Sequence, residues 1–421
     1  MDRIKIEGGQ KLMGEVKASG AKNSSLPILF ATLLAEGKFE LNKVPHLADT
    51  LSTIALLEVL GCQSDYNNGR LIIDRPSTIE KEAPYDIVRK MRASILCLGP
   101  LVAKEKTAKV SLPGGCAIGS RPINLHLEAL KKMGAQVELK DGYVYASAPE
   151  GLSGAHIAFD MPTVGGTENI LMAATLAKGT TVINNAAREP EVVDLGEMLI
   201  KMGAKIKGLG TSIIEIEGVD QLHAVKHEVI ADRIEVGTLL IAGAITGGKV
   251  KVTECNPEHL EAFLEKLKET GVKVEIGNNW IEVDATLGRL KSTNITTMPH
   301  PGFPTDLQAQ FMTLLCACEG VGSVKETIFE NRFMHVPELN RLGAEIEVNT
   351  RTAVVKGKRP AFSGTTVMAT DLRASASLVL AGLIADGVTY VKRIYHLDRG
   401  YENLENKLAS LGAKTQREKD L

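Results

Sequence analysis

A segment rich in glycine and proline carries the residue types that could do chemistry. It spans residues 112–122 and reads LPGGCAIGSRP, which places Cys116 close to Arg121. This composition is typical of a loop, and loops carry functional side chains more often than packing ones. A nearby guanidinium stabilises a thiolate and lowers the thiol pKa from its usual value of about 8.5. Cys116 is therefore a candidate proton donor or nucleophile.

The other five cysteines are scattered along the chain, at positions 62, 97, 255, 316 and 318. Cys316 and Cys318 are spaced like half of a metal site, but they fall in an apolar run with no second Cys/His pair at zinc spacing. We expect both to pack in a core. The spacing predicts no disulfide framework, and the sequence gives no sign of a metal or cofactor.

Polar and charged side chains recur where apolar helices are predicted to begin. They include Lys22, Asn23, Arg92, Asp232, Asp306, Asp371 and Arg373. Helix N-termini favour anions, and the planar fork of arginine binds phosphate or carboxylate through two hydrogen bonds. Several such residues could converge on one multiply charged ligand. Each one taken alone also fits an ordinary helix cap, so this observation leaves both interpretations open.

The elements that must position these residues form an internal repeat. A Leu-x-x-x-Gly signature occurs six times, with its glycines 68 to 73 residues apart, at positions 61, 134, 203, 271, 343 and 412. Each glycine is predicted to end an amphipathic helix, because a glycine there accepts positive φ. Short strand-like runs follow, as in 135–139 and 272–276.

Each repeat predicts an α+β unit of helix, strand, loop, helix and strands. One unit is too small to bury its own apolar helix, so we expect two domains of three units around buried helices. Small residues in the first helices, such as those at 242–244, suit close packing between helices. A solenoid of six stacked units is the alternative that the pattern leaves open.

Composition excludes several classes of protein. The 421 residues are 44% hydrophobic and 24% charged, with a net charge of −2, so no broad basic field attracts nucleic acid or a membrane surface. No run of about 20 apolar residues predicts a membrane span, and the first residues have no apolar signal core. We expect a cytoplasmic protein whose partners are small molecules. Its oligomeric state cannot be read from the sequence.

Six motifs in order resemble one enzyme family. They are Lys22-Asn23, 91–94 (MRAS), the loop 112–122, 301–306 (PGFPTD), 371–374 (DLRA) and 398–401 (DRGY). Over essentially the whole chain the sequence resembles the UDP-N-acetylglucosamine enolpyruvyl transferases. The cysteine loop together with the Phe-Pro-Thr-Asp motif is highly specific. Two positions depart from the pattern: Ser375, where many relatives have glycine, and Met161-Pro162, where they have a more polar pair beside the uridine-facing turn. The second departure leaves the nucleotide contacts open.

The resemblance implies an inside-out α/β barrel fold with two domains, each of three βαβαββ-type units. The first domain would comprise residues 22–230 and carry Cys116. The second would comprise residues 1–21 and 231–421.

The resemblance also implies a reaction. The enolpyruvyl group of phosphoenolpyruvate would pass to the 3-hydroxyl of UDP-N-acetylglucosamine (UDP-GlcNAc) by addition and elimination, as the first committed step of bacterial peptidoglycan precursor synthesis. Cys116 would protonate C3 and could form a covalent adduct at C2. Asp306 would accept the hydroxyl proton.

The remaining implied site residues divide between the two substrates. Catalysis would also involve Lys22, Asn23 and Arg399. Phosphoenolpyruvate would be held by Lys22, Asn23, Arg121, Arg332, Arg373 and Arg399. UDP-GlcNAc would be held by Arg92, Arg121, Pro122, Ile123, Asn124, Leu125, Thr163, Val164, Asp306 and Ile328.

Three alternatives remain at this point. One is an enzyme like 5-enolpyruvylshikimate-3-phosphate synthase (EPSP synthase), which shares fold and donor but lacks this cysteine loop. The second is a non-catalytic relative that binds a nucleotide sugar. The third is a repeat scaffold for protein partners. The motifs around Cys116, Asp306, Lys22 and Arg399 favour the enzyme.

Overall fold

The chain divides into two units in a computed structural model. One unit comprises the described residues between 20 and 230, and the other comprises residues 2–19 and the described residues between 231 and 420. The structure describes residues 2–89, 91–112, 123–358 and 360–420. The N-terminal residues 2–19 therefore fold with the C-terminal half of the chain.

The strands of the described residues are numbered in chain order. They are β1 (Asp2–Glu7), β2 (Met13–Lys17), β3 (Gly37–Asn42), β4 (Gln63–Asn67), β5 (Arg70–Arg75), β6 (Glu82–Ala83), β7 (Thr107–Ser111), β8 (Gln136–Lys140), β9 (Tyr143–Ser147), β10 (His156–Ala158), β11 (Thr180–Asn184), β12 (Lys205–Lys207), β13 (Ile213–Glu217), β14 (Lys226–Glu228), β15 (Lys249–Thr253), β16 (Lys273–Ile276), β17 (Trp280–Asp284), β18 (Asn294–Thr296), β19 (Gly320–Lys325), β20 (Glu345–Asn349), β21 (Thr352–Gly357), β22 (Thr366–Met368), β23 (Val388–Lys392) and β24 (Lys414–Lys419).

The α-helices follow the same order. They are α1 (Lys22–Ala31), α2 (Ala48–Val59), α3 (Tyr85–Val88), α4 (Leu98–Glu105), α5 (Asn124–Lys132), α6 (Val164–Ala174), α7 (Pro190–Lys201), α8 (Arg233–Ile245), α9 (Glu261–Glu269), α10 (Gln308–Cys316), α11 (Val336–Arg341), α12 (Leu372–Ile384) and α13 (Leu404–Ser410). Short 3₁₀ turns occupy Thr32–Leu34, Arg92–Cys97, Pro257–Leu260, Thr305–Leu307 and Ile394–Arg399.

Three four-stranded sheets form the wall of each unit in the described part of the chain. In the first unit the strand orders are β14-β3-β5-β4, β6-β7-β9-β8 and β10-β11-β13-β12. In the second they are β2-β15-β17-β16, β18-β19-β21-β20 and β22-β23-β1-β24. In every sheet the first pair is parallel and the next two pairs are antiparallel. One hydrogen-bonding pattern repeated six times confirms the predicted six-unit, two-domain α/β fold.

One helix of each repeat lies in the interior. In the first unit these are α1, α4 and α6, and in the second they are α8, α10 and α12, which pack against one another. All thirteen residues of α8 are buried, as expected for a helix surrounded by protein on every side. The six repeat glycines follow the outer helices and have φ between 89° and 108°. The predicted helix ends are therefore confirmed.

Two glycines of the inner helices have a role different from the predicted one. A Cβ atom at Gly243 would lie 2.8 Å from Val250 of β15, and one at Gly382 would lie 2.9 Å from Ile6 of β1. These glycines let α8 and α12 approach their sheets, because side chains on the pleated strands fill the space that a methyl group would need. The prediction that they serve contacts between helices was wrong at these two positions.

A buried ion pair fixes the start of α8 to the N-terminal segment. Lys407 Nζ lies 2.8 Å from both carboxylate oxygens of Glu235 and donates to Ser19 Oγ at 2.7 Å. The backbone N–H of Ser19 donates to the same carboxylate at 2.6 Å, and the Asp232 N–H donates to the Ser19 carbonyl at 2.9 Å. Burial raises the pKa of Glu235, an effect that Lys407 opposes.

We predict that Lys407→Met lowers the free energy of unfolding by about 3–5 kcal/mol, because it leaves the Glu235 carboxylate buried without its cation. Lys266→Met is the matched control. It breaks the exposed Lys266–Glu269 pair and should change stability by less than about 1 kcal/mol. Urea titration of both variants decides the matter. Equal losses in the two would show that burial does not distinguish the pairs.

Candidate active site

The second unit places two arginines on one carboxylate. Asp306 lies in the 3₁₀ turn Thr305–Leu307, which leads into the buried helix α10. Arg332 Nη2 donates to Asp306 Oδ1 at 2.8 Å, and Arg373 Nη2 donates to Oδ2 at 2.7 Å. Arg332 comes from the segment between β19 and α11, and Arg373 from the first turn of α12. Three residues predicted to share a site are therefore in direct contact.

Aspartates at equivalent points of three repeats have different roles. Asp232 accepts hydrogen bonds from the first N–H groups of α8, at 2.8 and 3.1 Å. Asp371 does the same for α12, at 2.8 and 3.0 Å. Both are ordinary N-caps. Asp306 instead directs its carboxylate at the two guanidinium groups, so the cap interpretation holds for the first two and was wrong for Asp306.

The arginines control the charge state of this carboxylate. Burial alone would raise the pKa of Asp306, but Arg373 and then Arg332 outweigh it and hold that pKa well below its usual range. Burial disfavours the cationic form of Arg373, but attraction to Asp306 prevails and raises its pKa above the usual value. Asp306 is thus ionised at neutral pH and, while both arginines hold it, a weak base.

The two guanidinium groups have further hydrogen-bonding capacity. Both arginine side chains are 4% exposed and that of Asp306 is 25% exposed, so the carboxylate is the part of the cluster that solvent reaches. Nη1 of Arg332 and Nη1 of Arg373 are buried and have no hydrogen-bond partner among the described residues. Buried N–H donors of this kind favour a ligand that brings oxygen acceptors.

A buried polar network holds the Asp306 turn in place. Gln310 Nε2 lies within hydrogen-bond distance of three acceptors: the Asp306 carbonyl at 3.0 Å, Tyr401 Oη at 2.9 Å and Thr238 Oγ1 at 3.2 Å. The guanidinium of Arg373 lies 5.5 Å from the centre of the Tyr401 ring. The network joins α8, α10 and α12, so the three inner helices together set the position of Asp306. Sequence reasoning missed Gln310.

Two histidines lie near the arginines of the second unit. Burial lowers the pKa of His335 to about 4, with Asp371 opposing and Arg332 adding to the decrease. Burial and then Arg399 lower the pKa of His396. Both imidazoles are therefore neutral at pH 7 and leave the positive charge to the arginines. The sequence predicted Arg399 but neither histidine.

In the first unit, Lys22 begins α1 and its Nζ lies 2.9 Å from Asp49 Oδ2. Asp49 is in the first turn of α2 and is almost fully buried. A carboxylate at this distance orients the ammonium group through a charge-assisted hydrogen bond. Asn23 follows Lys22 in the same turn and is half-buried. Asp49 was not predicted, although Lys22 was.

Among the described residues of the first unit, several predicted UDP-GlcNAc residues lie near one buried histidine. His126 belongs to α5, directly after the predicted segment 123–125. A Cβ atom at Gly165, beside Thr163 and Val164, would lie 3.4 Å from the His126 ring. Burial and then Arg92 lower the pKa of His126 to about 4.

The same histidine is fixed by an amide. Asn169 Nδ2 lies 3.0 Å from His126 Nδ1, and Asn169 also bonds the backbone of Ile95 and Gly99, at 3.2 and 2.7 Å. Because the amide nitrogen donates, Nδ1 accepts and the proton lies on Nε2. Three sequence-distant predicted segments thus meet around a neutral imidazole that the sequence did not single out.

The predicted residues Cys116, Arg121 and Pro122 lie outside the described residues. The other five cysteines are buried. Burial raises the thiol pKa of Cys62 and Cys255 to about 11, and that of Cys97 and Cys316 to about 12. Such thiols are poor nucleophiles. The expectation that Cys316 and Cys318 pack in the core is confirmed.

Comparison with known proteins places the chain among enolpyruvyl transferases. The family model for EPSP synthase (3-phosphoshikimate 1-carboxyvinyltransferase) matches residues 6–408. The chain belongs to the EPSP synthase family. Within that family it is similar to proteins named UDP-N-acetylglucosamine 1-carboxyvinyltransferase. That of Bdellovibrio bacteriovorus is 57% identical over 98% of this chain and 99% of the relative. That of Yersinia pestis is 55% identical over the full length of both.

Solved structures of the EPSP synthase family share the fold. The enolpyruvyl transferase NikO from Streptomyces tendae is 26% identical, with a TM-score of 0.89 over 100% of this chain and 99% of its own. EPSP synthase from Acinetobacter baumannii is 19% identical with a TM-score of 0.77 over the full length of both, which is a likeness of fold. The solenoid is set aside because the chain shares the fold of these structures over its full length. The protein scaffold is set aside because full-length relatives are named as enzymes.

Two kinds of feature are missing from the described residues. Among the described residues, no helix is both long enough and apolar enough to cross a membrane. Within 2–89, 91–112, 123–358 and 360–420, no three His, Cys, Asp or Glu side chains are placed to share a metal ion. The prediction that no metal is needed stays a prediction.

We predict that the stabilising effect of the Asp306 carboxylate depends on pH. Because its folded pKa is depressed, its contribution is complete above the unfolded value of about 3.9 and disappears as the pH falls below it. Asp306→Asn should be less stable than the wild type by about 2–3 kcal/mol at pH 7. In urea titrations the difference should shrink steadily below about pH 5. A difference that stays constant from pH 7 to about pH 3.5 would contradict the depressed pKa.

Proposed function

We propose that this chain transfers the enolpyruvyl group of phosphoenolpyruvate to the 3-hydroxyl of UDP-GlcNAc and releases inorganic phosphate. The observation that carries the proposal is the cluster of Asp306, Arg332 and Arg373, in which each oxygen of the carboxylate lies within 2.8 Å of a buried cation. The full-length relatives of the chain are named for this transfer. The carboxylate suits a hydroxyl substrate, and the cations suit an anionic donor.

The proposal also includes a place in metabolism. The product would feed bacterial peptidoglycan precursor synthesis, as its first committed step, and so would bear on cell shape and division. We propose that the enzyme works in the cytoplasm and needs no cofactor. The epoxide fosfomycin would inhibit it through the thiol of Cys116.

The chemistry proceeds in two balanced steps. In the addition, the sugar 3-hydroxyl oxygen bonds to C2 of phosphoenolpyruvate and loses its proton, while C3 gains a proton and becomes a methyl group. In the elimination, that methyl group loses a proton and the bond from C2 to the phosphate oxygen breaks. We assign the proton transfer at C3 to Cys116, which can also add to C2. We assign acceptance of the hydroxyl proton to Asp306.

The arginines explain how a weak base can serve this step. Arg332 and Arg373 are proposed ligands of phosphoenolpyruvate, and they also hold Asp306. An arriving anion competes with the carboxylate for the same guanidinium groups. As those contacts lengthen, the pKa of Asp306 rises toward its usual value, and its capacity to accept a proton rises with it. Phosphoenolpyruvate would thus activate Asp306, the base that accepts the proton of the UDP-GlcNAc hydroxyl.

The remaining residues bind and orient. We propose that Lys22, Arg121 and Arg399 hold phosphate, with Asn23 orienting the reacting groups. For UDP-GlcNAc we propose Arg92, residues 121–125, Thr163–Val164 and Ile328. His126 lies near the described members of this set in the first unit, and its neutral imidazole can donate a hydrogen bond through Nε2 without adding charge.

We predict that the purified chain releases phosphate from phosphoenolpyruvate only when UDP-GlcNAc is present. A coupled assay with UDP-GlcNAc, with shikimate 3-phosphate and with no acceptor separates the candidates. Activity with shikimate 3-phosphate alone would support the EPSP synthase alternative. Binding of UDP-GlcNAc without phosphate release under any condition would support the non-catalytic alternative. Full activity in a chelator would support the metal-free mechanism.

We predict that Cys116→Ser loses nearly all turnover, because a hydroxyl is a far weaker acid than a thiol, whereas Cys116→Asp keeps activity, because a carboxyl group can deliver the proton. The Asp variant should also resist fosfomycin. In the wild type, mass spectrometry should find the epoxide on Cys116 alone, since the other thiols are buried. Wild-type turnover in the Ser variant would refute the assignment.

A further inference from the structure

Glu326 is a buried carboxylate to which the proposed mechanism gives no role. It directly follows β19 and is 1% exposed. Its Oε1 accepts hydrogen bonds from the backbone N–H groups of Ile328 and Phe329, at 2.8 and 3.0 Å. Its Oε2 accepts a hydrogen bond from Thr305 Oγ1 at 2.9 Å. One side chain therefore joins the segment 326–329 to the residue that precedes Asp306.

The same two segments meet a second time six residues further along. Arg332 Nη2 donates to Asp306 Oδ1 at 2.8 Å. Between the two contacts lies Phe329, whose N–H is bound by Glu326 and whose ring lies 5.2 Å from the Arg332 guanidinium. The segment from Glu326 to Arg332 is thus fixed to the Thr305–Asp306 turn at both ends, and the carboxylate of Glu326 also holds the Phe329 backbone that supports Arg332.

Other contacts keep the start of this segment in place without the Glu326 side chain. The backbone N–H of Glu326 donates to the Arg351 carbonyl at 2.8 Å, and the Thr327 N–H donates to Thr297 Oγ1 at 2.9 Å. These bonds join the end of β19 to neighbouring segments of the same unit, but they do not involve residues 305 and 306. Among the described contacts of Glu326, only the Thr305 hydroxyl connects it with the Asp306 turn.

We propose that Glu326 is a positioning residue for the transfer. It orients Asp306 through its hydrogen bond to Thr305. It also fixes the positions of Ile328 and Arg332 by holding the backbone between them. This inference rests on the proposed function for the roles of Asp306 and Ile328. It adds a residue outside the assigned set. A rigid link of this kind is needed because a displacement of about 1 Å at a reacting group can reduce the rate by about 10²-fold.

The alternative is that Glu326 only caps the turn formed by residues 326–329. The structure provides a variant that separates the two roles. Thr305→Val keeps the shape of the side chain and both backbone bonds to Glu326 but removes the hydroxyl bond to the Asp306 turn. Thr305→Ser keeps that hydroxyl and is the matched conservative control. Glu326→Ala removes all three bonds.

Steady-state kinetics should separate the variants. We expect Thr305→Val to lower kcat by about 10- to 100-fold with little change in the KM for UDP-GlcNAc, because the base is misplaced while the Ile328 backbone is still held. Thr305→Ser should recover most of the lost kcat. Glu326→Ala should lower kcat and also raise the KM for UDP-GlcNAc. Wild-type kcat in Thr305→Val would overturn the proposal and leave Glu326 as a local cap.

Amide hydrogen exchange provides a readout that needs no activity. Exchange at Ile328 and Phe329 should accelerate in Glu326→Ala and stay at the wild-type rate in Thr305→Val. Unchanged exchange in Glu326→Ala would show that the carboxylate does not hold this segment, and would also overturn the proposal. If the wild type transfers nothing to UDP-GlcNAc, the proposed function fails, and the exchange result still decides whether Glu326 holds the Ile328 segment.

Discussion

The contact of Asp306 with two arginines is the interaction on which the second unit depends. A carboxylate and two guanidinium groups that leave water must satisfy one another or lose several kcal/mol each in desolvation. Arg332 and Arg373 together outweigh the effect of burial on the pKa of Asp306. The cluster is nevertheless incomplete among the described residues, because Nη1 of each arginine lacks a partner there. It is therefore stable without ligand and still able to accept an anion.

The surrounding fold holds these three side chains at fixed distances. Asp306 and Arg373 stand at the start of two inner helices, α10 and α12, which pack against each other inside three sheets. Gln310 connects the Asp306 backbone with Tyr401 and Thr238, and Glu326 fixes the same turn from the β19 side. A buried helix cannot shift without disturbing its own sheet and the inner helices that pack against it, so its first turn is a rigid place for a functional side chain.

The repeat, the glycine-ended helices and the six-unit fold could be predicted because each depends on local chemistry that recurs every 68 to 73 residues. The cations and Asp306 could be named because they stand at repeated helix starts and in motifs that resemble a known family. Their partners could not be named. Asp49, His126 and Gln310 become relevant only when distant segments meet, and no local pattern marks a buried amide or a neutral imidazole. Likewise, the sheet contact of Gly243 could not be predicted, because it depends on where Val250 packs.

The central claim is that an anionic substrate takes the arginines from Asp306 and so turns a weak base into a stronger one. It is tested most directly by carbon-13 NMR titration of aspartate carboxyl groups, with the Asp306 resonance assigned from its absence in Asp306→Asn. Without ligand, the pKa of Asp306 should lie well below its usual range. With saturating phosphoenolpyruvate it should rise toward the usual value, and inorganic phosphate should produce a smaller rise. A pKa that is the same with and without phosphoenolpyruvate would contradict the account.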